Sequence, residues 1–215
     1  MTDSGPESQS FAKEHQALGM YQRWRRIWLA VAIALLSGIM LFVSTSWLEA
    51  AHEMIEAIGV VLIGAAILGR LWCTLYIGGR KSDMVVQTGP YSIMRNPLYF
   101  FSAIGAAGVG AQSGSITVAL VFGLFCTLAF LIVIRREELF LSAQFGAGYQ
   151  DYLNRVPRFF PNIRLFRDEA MLSVLPKRLY VTLMDGLVFF AALPSFEAVE
   201  YLQKTGVIPV LLRLY

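Results

Sequence analysis

Apolar runs of about twenty residues, bounded by basic flanks, decide what this chain can fold into. The longest cover residues 27–47, 57–77 and 115–134, with shorter ones at 97–110 and 179–193. At about 1.5 Å of rise per residue, roughly 20 apolar residues carry a helix across the hydrocarbon core of a bilayer. No water there can satisfy backbone N–H and C=O groups, so a continuous apolar run crosses as a helix. Composition agrees: 56% of the 215 residues are hydrophobic and 15% charged, against about 25% charged in a soluble domain. The expectation is an all-α integral membrane protein, a bundle of about five transmembrane helices with no separate soluble domain.

Flanking charge orients the bundle. Arg23, Arg25 and Arg26 precede the first run, Arg80 and Lys81 follow the second after Gly78-Gly79, and the connection 49–56 between them is acidic. The positive-inside rule therefore puts the N-terminus and the segment 78–96 in the cytoplasm and the acidic connection outside. The first run follows a basic flank as a signal peptide would. It is longer than an h-region and lacks a small-residue cleavage site, so it reads as a retained span. Asn96-Pro97 reads as the N-cap and first residue of a third helix reaching about Gly110. That helix is short for a span, about 22 Å. Its small residues, from Ser102 and Ala103 to Gly108 and Gly110, suit close helix packing. The tight turn Gln112-Ser113-Gly114 sets the fourth helix antiparallel to it. Residues 135–172 read as a cytoplasmic segment lying over the bundle. Pro194 reads as the end of the fifth run, and the tail 195–215, apolar at 207–212, as an interfacial helix or half of a hairpin.

Two polar clusters sit where these runs meet the cytoplasm. One is Gly89-Pro90-Tyr91-Ser92-Ile93-Met94-Arg95-Asn96-Pro97-Leu98-Tyr99; the other is Arg135-Arg136-Glu137-Glu138. Charge beside a membrane is costly without a partner, so clusters on neighbouring segments suggest one shared site. The planar fork of Arg95 suits a carboxylate or phosphate, and the helix N-terminus beside it adds attraction. The plainer alternatives are a snorkelling anchor for Arg95 and an interfacial aromatic belt for Tyr91 and Tyr99. Glu137 and Glu138 have no such anchoring role, and a helix C-terminus disfavours negative charge, which points to a cationic partner. Surface ion pairs are the alternative if the helix runs on to Phe145, before Gly146 and Gly148. Arg70, about 10 Å inside the second run, either snorkels or faces the interior toward the same site. His52, Glu53 and Glu56 lack the His-Glu-x-x-His spacing and read as a solvated outer loop, so no metal site is expected. Cys73 and Cys126 fall within spans and read as small buried residues. With a net charge of only +3 and basic residues gathered at membrane boundaries, nucleic-acid binding is a poor reading.

Downstream, Phe145-Gly146, Tyr149, Tyr152, Val156-Pro157-Arg158 and Phe159-Phe160-Pro161 follow in order. With Gly89-Pro90-Tyr91, Arg95-Asn96-Pro97, Tyr99 and Glu137-Glu138, this ordered set resembles a superfamily of membrane methyltransferases over residues 78–162. Its members include isoprenylcysteine carboxyl methyltransferases and phospholipid N-methyltransferases. Asn96 stands where the prenylcysteine enzymes carry histidine, as it does in phospholipid and bacterial members. The resemblance implies S-adenosylmethionine as methyl donor, leaving S-adenosylhomocysteine, in a cytoplasm-facing pocket roofed by the segment after the glutamates. It implies Arg95 and Glu138 as catalytic residues. The implied cofactor-binding set is Gly89, Tyr91, Arg95, Asn96, Pro97, Tyr99, Glu137, Glu138, Tyr149 and Tyr152. The donor's carboxylate suits Arg95, its ammonium and ribose hydroxyls suit Glu137 or Glu138, and its adenine and sulfonium suit tyrosine faces.

On this reading residues 1–22 are a polar tail, 23–77 two transmembrane helices, 78–162 the methyltransferase core, and 163–215 further transmembrane or interfacial helices. The implied acceptor is lipidic, like an isoprenylcysteine carboxylate or a phospholipid, taken from among membrane lipids. The membrane would be the inner membrane of a bacterium or the endoplasmic reticulum of a eukaryote. Two other readings compete: an NADPH-dependent reductase of the sterol type, similar in its C-terminal half, and a non-catalytic membrane protein. The paired glutamates and their spacing to Phe145-Gly146 favour the methyltransferase.

Overall fold

The computed structural model describes residues 38–39, 41–77 and 85–215. Most of the first apolar run, its basic flank and the Arg80-Lys81 pair lie outside these residues. The described end of that run is not helical. Residues Val43–Thr45 form a strand, β1, so the expected span does not continue as helix to Trp47.

The next element, α1 (Glu49–Ile77), is a 29-residue helix that begins two turns before the expected start. The acidic connection is helix because its acids suit a helix N-terminus, and His52 Nε2 pairs with Glu56 Oε1 one turn on, at 3.1 Å. His52 is thus not in a solvated loop: its side chain is only 14% exposed. After the short turn α2 (Pro90–Ile93) come α3 (Pro97–Ala111) and α4 (Ile116–Phe145). The sequence from 116 to 145 contains no proline, and α4 stops at Gly146, whose φ of 56° is open to glycine. A nine-residue helix, α5 (Ala147–Arg155), follows, and a single 3-10 turn at Ile163–Leu165 leads to the last helical stretch.

That stretch runs as α6 (Pro176–Leu187), a 3-10 turn (Val188–Ala191) and α7 (Ala192–Lys204). Pro194 does not end it. It lies in the first turn of α7, and the tighter 3-10 turn before it accommodates the missing N–H. Nor does the tail form a helix or hairpin at 207–212. Its end is a strand, β2 (Leu212–Leu214), which pairs parallel with β1.

The fold is all-α apart from that two-stranded ladder. Among the described residues, α1, α4 and the stretch Pro176–Lys204 are long and apolar enough to cross a membrane. Leu120, Leu124, Leu128 and Ile132 of α4 lie exposed on its outer face, as lipid-facing residues do. The short helix α3 is sandwiched between α1 and α4, and α6 packs against α1, with Phe189 of the following turn beside Gly105 of α3. Glycines allow the closeness: a Cβ on Gly108 of α3 would stand 2.8 Å from the Gly59 carbonyl oxygen of α1. The α3–α4 pair is antiparallel, with Gly110 beside Val118 and Gly123 beside Ala107.

Length differences then place the site. α3 has 15 residues against 29 and 30 in its neighbours. Its C-terminal end is fixed against the start of α1, where Gln112 Nε2 donates to the Glu56 carbonyl at 3.1 Å. At the opposite end α1 and α4 overhang Pro97, and the space beneath α3 is left to loops and side chains.

Candidate functional site

The floor of that space is the chain from residue 85 to the start of α3. Gly89 turns the chain at φ 57° with its Cα against the Tyr76 ring. Pro90 and Pro97, each at a helix N1 position, start α2 and α3. The four residues of α2 are buried, and Ser92 Oγ donates to the Gly89 carbonyl at 2.6 Å while accepting from the Arg167 amide at 3.0 Å. Asn96 occupies the N-cap position of α3 but does not cap it with its side chain. Its Nδ2 donates instead to the Arg158 carbonyl at 3.1 Å. One wall is the last three turns of α4, with Glu137, Glu138, Phe140 and Leu141. The roof is α5, held down by Tyr152 Oη donating to the Tyr91 carbonyl at 2.8 Å.

The chain after α5 straps these parts together through backbone bonds. The Arg95 amide donates to the Pro157 carbonyl at 2.9 Å, the Asn162 amide to the Ile93 carbonyl at 2.9 Å, and the Gly89 amide to the Arg167 carbonyl at 2.7 Å. Between floor, wall and roof lies a cavity of about 260 Å³. All but two of the residues expected at the site line it: Tyr91, Arg95, Asn96, Tyr99, Glu137, Glu138, Tyr149 and Tyr152. Gly89 and Pro97 do not. The structure gives them the turns that aim Tyr91 and Arg95.

The cavity's charges are organised around Glu138, which is buried at 7% exposure. Arg158 grips it as a fork, Nε donating to Oε2 at 3.1 Å and Nη2 to the same oxygen at 2.7 Å, with Nε also 3.2 Å from Oε1. Arg95 Nη1 stands 3.4 Å from Oε1. Two buried polar atoms of lining residues, Tyr91 Oη and Arg95 Nε, have no hydrogen-bond partner among the described residues. Such atoms are costly unless something else satisfies them. Burial pushes the Tyr149 phenol up to about 12 and raises those of Tyr91 and Tyr152 from their ordinary value near 10. Near neutral pH these hydroxyls are therefore hydrogen-bond donors, not bases.

Two expectations resolve differently. Arg70 faces the interior but not this cavity: Nη1 donates to Ser102 Oγ at 2.9 Å, and the guanidinium carbon lies 5.8 Å from the Phe189 ring centroid. Arg158 was not expected at the site as the partner of Glu138. The only signal for it in the sequence is its place in Val156-Pro157-Arg158, twenty residues beyond the glutamate and in a loop.

A model of the phospholipid methyltransferase family matches residues 33–148, more than half of the chain. The chain belongs to that family. Among curated proteins it is similar to the nickel-cobalt-cadmium resistance protein NccN of Alcaligenes xylosoxydans xylosoxydans, 38% identical over 89% of this chain and 87% of the relative. It is also similar to the cobalt-zinc-cadmium resistance protein CzcN of Cupriavidus metallidurans, 32% identical with both chains covered end to end. Over a shorter stretch it is similar to the protein-S-isoprenylcysteine O-methyltransferase of Schizosaccharomyces pombe, 32% identical over 39% of this chain and 35% of that one. No solved structure matches.

Proposed function

We propose that the protein is an integral membrane methyltransferase that takes its methyl group from S-adenosylmethionine and passes it to a lipidic acceptor. The observation that carries this reading is the cavity itself, where, among the described residues, an arginine and a tyrosine each keep a buried polar atom without a partner beside carboxylates and phenol rings. The residues fit the donor's chemistry. The Arg95 fork suits its carboxylate, and Glu137 with four tyrosine rings suits its positive centres. The donor brings a methyl group already activated on a sulfonium, so the chain need not supply a covalent nucleophile. What this chain's residues do is bind, orient and exclude water. Tyr149 and Tyr152 close the roof, while Ile77, Leu98, Phe140 and Leu141 line the cavity with apolar surface. That surface suits a greasy acceptor arriving from the bilayer.

The charge distribution supports a cytoplasmic pocket. Arg135, Arg136, Arg155, Arg164, Arg167, Lys177 and Arg178 fall at or beyond the pocket end of the helices, whereas Glu49, Glu53, Glu56, Glu197 and Glu200 fall toward the other. NccN and CzcN are named for metal resistance. Among the described residues the cavity is lined by arginine, asparagine, glutamate, tyrosine and apolar side chains, so on our reading a role in resistance runs through methylation of a membrane component.

The test is calorimetric titration of S-adenosylmethionine, S-adenosylhomocysteine and NADPH into the detergent-purified protein. Saturable binding of the first two is expected; silence toward both overturns the proposal, and binding of NADPH alone moves the protein to the reductases. Incubation with a labelled methyl donor and a lipid extract then identifies the acceptor.

A further inference from the structure

Arg158 does not line the cavity, yet it makes the shortest bonds to Glu138, which does. The two arginines around that carboxylate are unequal. Arg158 approaches as a planar fork with its closest contact at 2.7 Å, the geometry in which guanidinium and carboxylate bind best. Arg95 has one contact to it at 3.4 Å, beyond the usual range of an N–H···O bond, and its Nε has no partner among the described residues. Buried Glu138 is thus neutralised mainly from outside the pocket, while the arginine inside the pocket is only loosely committed.

Backbone bonds fix this inequality independently of the Arg158 side chain. The Arg95 amide bonds the Pro157 carbonyl, and Asn96 Nδ2 bonds the Arg158 carbonyl itself. The strap therefore stays in place when that side chain is changed. We propose that Arg158 is a positioning residue: by satisfying Glu138 it keeps the Arg95 guanidinium available to the carboxylate of the methyl donor. Without Arg158, the cation left beside Glu138 among the described residues is Arg95; the two close into a tight pair, and a ligand carboxylate has to break it. A buried carboxylate stripped of one cation draws strongly on the next.

This inference rests on the donor reading above, and one experiment separates the two. S-adenosylhomocysteine is titrated by calorimetry into the full-length detergent-purified wild type, Arg158→Leu, Arg158→Lys, Glu138→Gln and the double variant Arg158→Leu/Glu138→Gln. Arg158→Leu is expected to weaken binding about tenfold, roughly 1.4 kcal/mol, and Arg158→Lys, which keeps the charge without the fork, to recover part of that. In the Glu138→Gln background the leucine substitution is expected to cost twofold or less, because no carboxylate remains to capture Arg95. A merely structural strap residue would carry its full loss into that background, and such additivity overturns the assignment, as does unchanged affinity in Arg158→Leu. A wild type that binds no S-adenosylhomocysteine overturns the donor reading and this inference together.

Discussion

At one end of the bundle a cavity of about 260 Å³ keeps Tyr91 Oη and Arg95 Nε buried without partners. At the other end the space among β1, α1, α3 and α7 shrinks to about 30 Å³, room for about one water molecule. Both ends are polar, but they use their polar groups differently. At the far end side chains close the backbone: Thr45 Oγ1 donates to the Gly114 carbonyl at 2.9 Å, Ser115 Oγ to the Tyr215 carbonyl at 2.8 Å, and Gln203 Nε2 to the Leu41 and Val43 carbonyls at 2.8 and 3.0 Å. His52 Nδ1, buried without a partner, is an exception there. At the pocket end backbone bonds across the strap and side-chain bonds such as Tyr152 Oη to the Tyr91 carbonyl close the walls, and charged arginine and glutamate side chains with tyrosines still line a cavity. The two ends therefore differ in the room left between their polar groups, about 260 Å³ against about 30 Å³.

The comparison is broken most severely by substitutions in the cavity. Arg95→Ala and Glu138→Ala are each expected to weaken S-adenosylhomocysteine at least tenfold, about 1.4 kcal/mol or more, measured by calorimetry. Unchanged affinity in both would place the pocket elsewhere. A smaller effect, of a different kind, is expected at the far end. Ser115 caps α4 by accepting from the Val118 amide at 3.3 Å, so Ser115→Ala should cost about 1 kcal/mol of stability. Its thermal midpoint in detergent should fall while ligand affinity stays within twofold. A loss of affinity matching that of Arg95→Ala would show that the two ends are coupled.

Alkaline titration sharpens the picture of the roof. Folding raises the Tyr149 phenol from about 10 to about 12 through burial, so its contribution to stability is complete below pH 10 and fades as pH climbs toward 12. Melting temperatures should be level from pH 6 to 9 as far as the tyrosines are concerned, then drop, and Tyr149→Phe should soften the drop. A drop of the same size in that variant would remove Tyr149 as its source. The smallest effect is expected for Arg70→Met. Arg70 bonds Ser102 away from the cavity, so donor affinity should change less than twofold; a larger change would extend the site along the α1–α3 seam.

Much of this was written locally in the chain. Apolar runs at 57–77 and 115–134 determined the central parts of the helices Glu49–Ile77 and Ile116–Phe145, because the bilayer admits no other backbone for them. Pro97 marked a helix start and Gly146 a stop, through φ and N–H constraints that act within a few residues. Most of the cavity's polar residues could be named from the order of their motifs. Tertiary structure decided what depends on distant pairing. The strand Val43–Thr45 exists because Leu212–Leu214 lies beside it, and nothing local distinguishes either stretch from an apolar span end. Glu138 is satisfied by Arg158 only because the strap is hung on the backbone of Arg95 and Asn96. Sequence fixes the preferences of each short segment. Which charge meets which is settled by the helix lengths and close glycine contacts that bring those segments together.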